Sequence, residues 1–153
     1  MEYRAGLDGV IAAETALSFI DGEKGELLFR GQPAREMARN LSFEEVAYFL
    51  WHGQFPDGER LTELQKKFAQ GRHIPQYVRE VIDECPRDMR MMEVLRTAIS
   101  ALGVDTNWPP TVDQAVQLTA VTPTLCAYRY RKQQGKPFVP PRDGLNHAAN
   151  YLY

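Results

Sequence analysis

The segment from Thr111 to about Gln134 constrains the fold of this chain more than any other feature. Its apolar residues are Val112, Ala115, Val116, Leu118, Ala120, Val121, Leu125, Ala127 and Tyr128. They cover more than one face of a helix, which is typical of a helix buried on several sides. Pro123 lies inside the segment, and because a proline removes one backbone donor and crowds the preceding turn, we expect a kink or break there. Other elements must therefore pack around this helix.

Local signals predict one domain over residues 1–153, with a β-hairpin at 16–31 and helices throughout 33–153. In the hairpin, Asp21-Gly22 is a strong turn pair, because glycine accepts a positive φ without steric cost. Pro33 fits the first position of a helix. Ser42 followed three residues later by Glu45 forms a capping box, and Gly53 is suited to end that helix. The predicted fold class is mostly α, with a short N-terminal hairpin.

The composition limits the classes of partner. Of 153 residues, 44% are hydrophobic and 25% are charged, which argues against disorder. The net charge of −2 gives no basic field for nucleic acid. The chain shows no signal segment and no apolar run long enough to cross a membrane. Cys85 and Cys126 lie far apart and are typical of small core residues in a reducing compartment. We expect a cytoplasmic protein without nucleic-acid or membrane partners.

A self-contained active site is not evident in the residues. The chain lacks the common phosphate-binding, metalloprotease and serine-hydrolase motifs. Its three histidines have no metal-ligand spacing and are His52, His73 and His147. We therefore expect no metal and no cofactor.

Several charged groups in the sequence have ordinary explanations. Glu44-Glu45 and Asp83-Glu84 are adjacent pairs whose side chains point about 100° apart on a helix, which predicts solvated surface and not a catalytic dyad. Residues 129–132 suggest either a phosphate site or a charged helix C-terminus that the helix dipole favours, and we prefer the second interpretation.

The end of the chain predicts one more short helix. Asn146 or Asp143 can cap a helix that begins near His147, and Tyr153 follows before that helix completes two turns. We expect a domain that has been cut within its fold.

Six stretches in a fixed order resemble the N-terminal part of the large domain of the citrate synthase family, which includes 2-methylcitrate synthases. They are GLDGV at 6–10, SFIDGEKG at 18–25 leading to LFRG at 28–31, SFEEVAY at 42–48, HG at 52–53, MEVLRTAISALG at 92–103 and HAANYLY at 147–153. The resemblance implies a helical large domain, of which this chain supplies the first part. It also implies a condensation of acetyl-CoA or propionyl-CoA with oxaloacetate, in which the acyl-CoA is a substrate and not a cofactor.

The resemblance implies that the catalytic aspartate and histidine lie outside this chain, together with the arginines that bind oxaloacetate. The chain then contains no catalytic residue and is inactive alone. His147 matches a histidine that hydrogen-bonds oxaloacetate, although Asn146 replaces the usual serine before it. We expect His147 to be neutral and partly exposed at a helix start.

The resemblance also implies a partner. Helices matching residues 89–103 and 111–133 pack across a homodimer interface in the family. We expect a homodimer or a complex with a second chain that carries the rest of the fold. The chain could be a fragment, a truncated paralogue or the small subunit of a split enzyme; the alternative is a non-catalytic binding or assembly module.

Overall fold

The computed structural model describes residues 6, 9–11, 13–103 and 109–153. These residues form a small antiparallel sheet of three strands and seven helices. The strands are β1 (Ser18–Asp21), β2 (Glu26–Phe29) and β3 (Gln32–Pro33). The helices are α1 (Ala34–Asn40), α2 (Phe43–His52), α3 (Gly58–Gly71), α4 (Gln76–Glu84), α5 (Met91–Ala101), α6 (Val112–Gln133) and α7 (His147–Leu152). The predicted class, mostly α with an N-terminal hairpin, is confirmed.

The turn between β1 and β2 is fixed by a side chain. The Oδ1 atom of Asp21 accepts hydrogen bonds from the backbone N–H groups of Glu23 and Lys24, at 3.1 and 3.0 Å. The residue with positive φ is Gly25, at 66°. Our expectation that Gly22 has the positive φ was wrong. The side chain of Asp21 holds a loop that is longer than a two-residue turn, and the positive φ falls at its end.

A third strand, missed by the sequence analysis, extends the hairpin. Pro33 pairs with Leu28 in this strand and precedes α1, so it is not the first helical residue. Arg30 and Gly31 have φ values of 45° and 80°, as in the tight turns that suit twisted hairpins. The Nε–H of Arg30 donates to the carbonyl of Leu50 at 2.8 Å, which ties the sheet to the end of α2.

Helix α6 is the centre of the molecule. Towards its N-terminus it packs against α3 in a cluster formed by Leu64, Phe68, Val116 and Ala120. Towards its C-terminus it packs against α4 and α5 in a second cluster formed by Ile74, Val78, Ile82, Val94, Ala98, Val121 and Leu125. The helix is therefore buried on more than one side, as its apolar pattern predicts.

Pro123 does not break α6, which runs without interruption from Val112 to Gln133. Val121 and Leu125 lie on either side of the proline in the second cluster, so packing holds the helix together across the missing hydrogen bond. For this reason, the helix does not show the break that the sequence predicts as one possibility at Pro123.

Two predicted helix ends agree with the structure. Ser42 and Glu45 form the capping box at the start of α2, and Gly53 ends that helix with a φ of 75°. Among the described residues, no helix combines the length and the apolar character needed to span a bilayer.

Candidate functional site

The candidate site surrounds the first turn of α7, where the one predicted substrate contact lies. Asn146 caps this helix, because its side-chain oxygen accepts from the backbone N–H of Ala149 at 2.8 Å. His147 is the first helical residue, as predicted. Its position at the helix start therefore follows from local sequence, whereas its surroundings come from α2 and α3.

The imidazole of His147 is buried, and our expectation of partial exposure was wrong. The residue is 7% exposed. Its ring stacks on Phe43 from α2, with centroids 4.6 Å apart, and lies 4.8 Å from the ring of Phe68 from α3. The two phenylalanines cover the ring because α7 packs against both α2 and α3.

Burial lowers the pKa of His147, the positive charge of Arg72 lowers it further, and the negative charge of Glu44 opposes these two effects. The Nδ1 atom is buried and has no hydrogen-bond partner in the described part of the chain. The ring is therefore held in its neutral form with one nitrogen unused.

Glu44 joins α7 to α2. The backbone N–H of His147 donates to its Oε1 at 2.7 Å, and the residue is only 1% exposed. The expectation that Glu44 lies in solvent was wrong. Glu44 lies in the first turn of α2, where the helix dipole favours a carboxylate. The start of α7 also contacts this carboxylate, so the N-termini of two helices share one buried negative charge.

Arg72, at the end of α3, holds the segment that leads into α7. Its Nη1 donates to the carbonyls of Leu145 and Arg142, at 2.8 and 3.2 Å. The residue is 2% exposed, and burial lowers its pKa, against the attraction of Glu44 and Asp143. Sequence reasoning did not identify Arg72, because a single arginine after a helix gives no signal of burial.

A cleft of about 800 Å³ opens beside this group of residues. Charged and polar side chains from α3 and from the segment before α7 line it, including Lys66, His73 and Asp143. His73 Nε2 lies 3.4 Å from Asp143 Oδ1 at its edge. The cleft could admit a polar molecule, but the buried imidazole of His147 is not among its lining residues.

The other buried charge is structural. Arg131 and Lys132 lie in the last turn of α6, as the interpretation of a charged helix C-terminus predicts, whereas Arg129 is only 1% exposed. Its guanidinium donates to backbone carbonyls in the connection between α4 and α5, those of Cys85, Pro86, Arg87 and Met89. Both terminal nitrogens of the guanidinium are thus occupied by backbone carbonyls, and its buried Nε has no hydrogen-bond partner in the described part of the chain.

The arrangement around His147 is suited to positioning and not to proton transfer. Glu44 uses its carboxylate on a backbone N–H, and the imidazole is neutral and covered. Within the described ranges, no three His, Cys, Asp or Glu side chains are grouped so that they could hold a metal ion.

Comparison with known proteins gives a consistent result. The family model described as "Citrate synthase, C-terminal domain" matches residues 6–153. The chain is 38% identical over 162 residues to a citrate synthase of Haloferax volcanii, covering 99% of this chain and 43% of that protein. It is 32% identical over 159 residues to a 2-methylcitrate synthase of Mycobacterium tuberculosis, covering 99% and 40%.

The fold is also similar to a solved structure. The crystal structure of citrate synthase from Thermotoga maritima matches with a TM-score of 0.85 at 32% identity, covering 99% of this chain and 41% of that one. The chain thus spans about two fifths of the length of the proteins it matches.

Proposed function

Because the chain belongs to the citrate synthase family, we propose that it is the first part of the large domain of an enzyme that condenses an acyl-CoA with oxaloacetate. The observation that carries the proposal is the match of nearly the whole chain to both citrate and 2-methylcitrate synthases. Acetyl-CoA and propionyl-CoA are accordingly the two candidate substrates. The acyl-CoA enters as a substrate and not as a resident cofactor.

The proposed reaction needs more than this chain. Removal of a proton beside a thioester requires a base within hydrogen-bond reach and a donor at the developing oxyanion. We propose that both groups, and the arginines that bind the carboxylates of oxaloacetate, belong to the remainder of the fold. Groups that act as a unit lose most of the rate when one is absent, so the chain alone is inactive.

His147 is the one substrate contact that we propose for this chain. Its unused Nδ1 and its neutral ring support a hydrogen bond to a substrate oxygen. The ring stacks on Phe43. For His147 to reach a substrate oxygen, docking of the remainder of the fold must therefore uncover the ring. A hydrogen bond to a charged group contributes ~1.5–3 kcal/mol, less than the ~4 kcal/mol of millimolar binding, so the isolated chain does not retain oxaloacetate.

The proposed partner is a second copy of the chain or a second polypeptide carrying the remaining fold, bound to α5 and α6. Exposed side chains on these two helices support this, with Met92 71% exposed and Tyr130 55% exposed. Burying such groups is the usual driving force for association. Light scattering at micromolar concentration should give a mass above 17.5 kDa, and a stable monomer would contradict the proposed homodimer.

The position of the chain in the whole enzyme can be tested by complementation. The matched family model is described as a C-terminal domain, whereas we place the chain in the first part of the large domain. Two polypeptides from a citrate synthase relative should be compared, one preceding the matched region and one following it. We expect a stable complex with the following polypeptide; a complex with only the preceding one contradicts the placement.

The contribution of His147 can be measured in the same complex. His147→Ala should weaken oxaloacetate binding by about tenfold or more, from the loss of one hydrogen bond, and leave association unchanged. His73→Ala is the matched control, because His73 is exposed and lies at the edge of the cleft. If His147→Ala instead unfolds the chain and has no effect on binding in the complex, His147 is structural.

A second candidate function is a non-catalytic binding or assembly module. The covered imidazole and the presence of Asn146 in place of the usual serine favour it, since both weaken the substrate contact that we propose for this chain. The neighbouring reading frame distinguishes the two functions. A frame that encodes the rest of the fold supports the split enzyme, and a genome without such a frame supports the module.

A further inference from the structure

The segment 142–152, which ends in α7, is attached to the molecule by two buried charges of opposite sign. Glu44 accepts the first N–H of α7, and Arg72 donates to two carbonyls just before it. Both side chains come from the body of the protein, and the segment contributes only backbone groups to these contacts. The two charges therefore hold the segment through its backbone, next to α2 and α3, and the second cluster around α6 contains no residue of the segment.

The segment also packs against α6 and places Asp143 beside His73, and its buried side chain, that of His147, carries a ring that can gain a proton. The imidazole of His147 fills the slot between Phe43 and Phe68, with a buried and unpartnered Nδ1. An imidazolium in this slot would bring a second N–H donor with no acceptor. The faces of two phenylalanines do not replace the hydrogen bonds that water gives to this cation.

The charges that face the ring oppose each other. Glu44 from α2 favours the protonated form, whereas Arg72 from the end of α3 disfavours it. From α6, Arg131 lies by the other end of α7, where it lines a cavity together with Tyr151. On the segment itself, Asp143 lies beside the exposed His73. Burial is the largest effect, so the slot selects the neutral ring.

We propose that the segment 142–152 is an acid-released latch, docked while His147 is neutral and freed when the ring takes up a proton. Release would open the aromatic slot and the adjoining ends of α2 and α3. The inference does not depend on the proposed function, because every contact involved lies within this chain.

The direction of the effect follows from linkage. Because burial lowers the pKa of His147 below its ordinary value of about 6.5, the docked state binds fewer protons than the released state. The docked state has its full stability above about pH 6.5 and loses it as the pH falls. Over the pH range in which release is accompanied by the uptake of one proton, the equilibrium constant for docking falls by about tenfold for each unit by which the pH falls.

The test is amide hydrogen exchange of the full chain from pH 7.5 to 5.0, corrected for the intrinsic rate, with an NMR titration of the histidine rings. We expect the amides of α7 to lose protection below pH 6.5, together with the titration of His147, while those of α4, α5 and α6 stay protected. His147→Phe fills the slot without an ionisable group and should abolish this pH dependence. His73→Gln is the matched control and should retain it.

Three results overturn the proposal. One is the same loss of α7 protection in His147→Phe. Another is the loss of protection in α4–α6 at the same pH, since the opening is then global and not local. The third is a His147 ring that titrates at or above its ordinary pKa. If His147→Phe does not fold, the wild-type titration and exchange profiles decide between these outcomes.

Discussion

The backbone N–H of His147 and the Oε1 of Glu44 lie 2.7 Å apart, although the two residues are 103 positions apart in the chain. Both residues are buried, so neither group has water as an alternative partner. Leaving such a donor without an acceptor is more costly than the hydrogen bond itself is favourable. This contact therefore fixes where α7 begins against α2.

Removing the carboxylate of Glu44 should destabilise the chain. Glu44→Ala leaves the His147 N–H unsatisfied and Arg72 without its nearby negative charge, so we expect the free energy of unfolding to fall by about 1–3 kcal/mol. Glu44→Gln keeps an oxygen acceptor and should cost less. Urea unfolding followed by circular dichroism measures both. Glu84→Ala, on the exposed surface of α4, is the control and should stay within about 0.5 kcal/mol of wild type.

Because α3 approaches α6 closely at Gly71, an alanine at this position should destabilise the fold. A Cβ built at Gly71 would lie 2.9 Å from the Cβ of Ala120, closer than real Cβ contacts allow. Gly71→Ala should therefore lower the free energy of unfolding by about 1–3 kcal/mol, against the usual helix preference for alanine.

Two further variants test this explanation. Gly58→Ala has no neighbour within 4 Å and should be neutral or stabilising. Adding Ala120→Gly to Gly71→Ala should recover part of the loss, because it restores space at the same point. A strictly additive double mutant would contradict steric contact as the cause.

The guanidinium of Arg129 should be essential for the connection between α4 and α5. Arg129→Met removes the donors to four carbonyls, and we expect a loss of about 2–4 kcal/mol in the free energy of unfolding. Arg129→Lys keeps the charge without the planar fork and should lose less. Thermal and urea unfolding check both variants against Arg39→Met, an exposed site where little change is expected. Equal effects at Arg129 and Arg39 would show that the four contacts contribute nothing.

Much of the fold could be predicted because its signals are local. The capping box of Ser42 and Glu45 and the left-handed Gly53 each involve residues within one turn, and the structure has both. The apolar pattern of α6 likewise predicts burial on several sides. Local patterns were insufficient at Pro123, where packing on both sides of the proline keeps the helix intact.

The site could be predicted only in part, because its partners are distant in sequence. Asn146 and His147 at the start of α7 follow from local capping. The burial of Glu44 and Arg72 depends on a segment more than 70 positions further along the chain, and neighbouring residues give no indication of it. For the same reason, the sequence pattern predicts a solvated Glu44-Glu45 pair and an accessible His147 ring, whereas Glu44 and His147 are buried in the structure.

The central claim, that this chain is an inactive part of a condensing enzyme, is tested most directly by the release of free CoA thiol. The purified chain should be assayed with oxaloacetate and either acetyl-CoA or propionyl-CoA, alone and with the polypeptide that follows the matched region in a citrate synthase relative. We predict no oxaloacetate-dependent thiol release by the chain alone and steady release by the mixture. Steady release by the chain alone, abolished by boiling, would contradict the account.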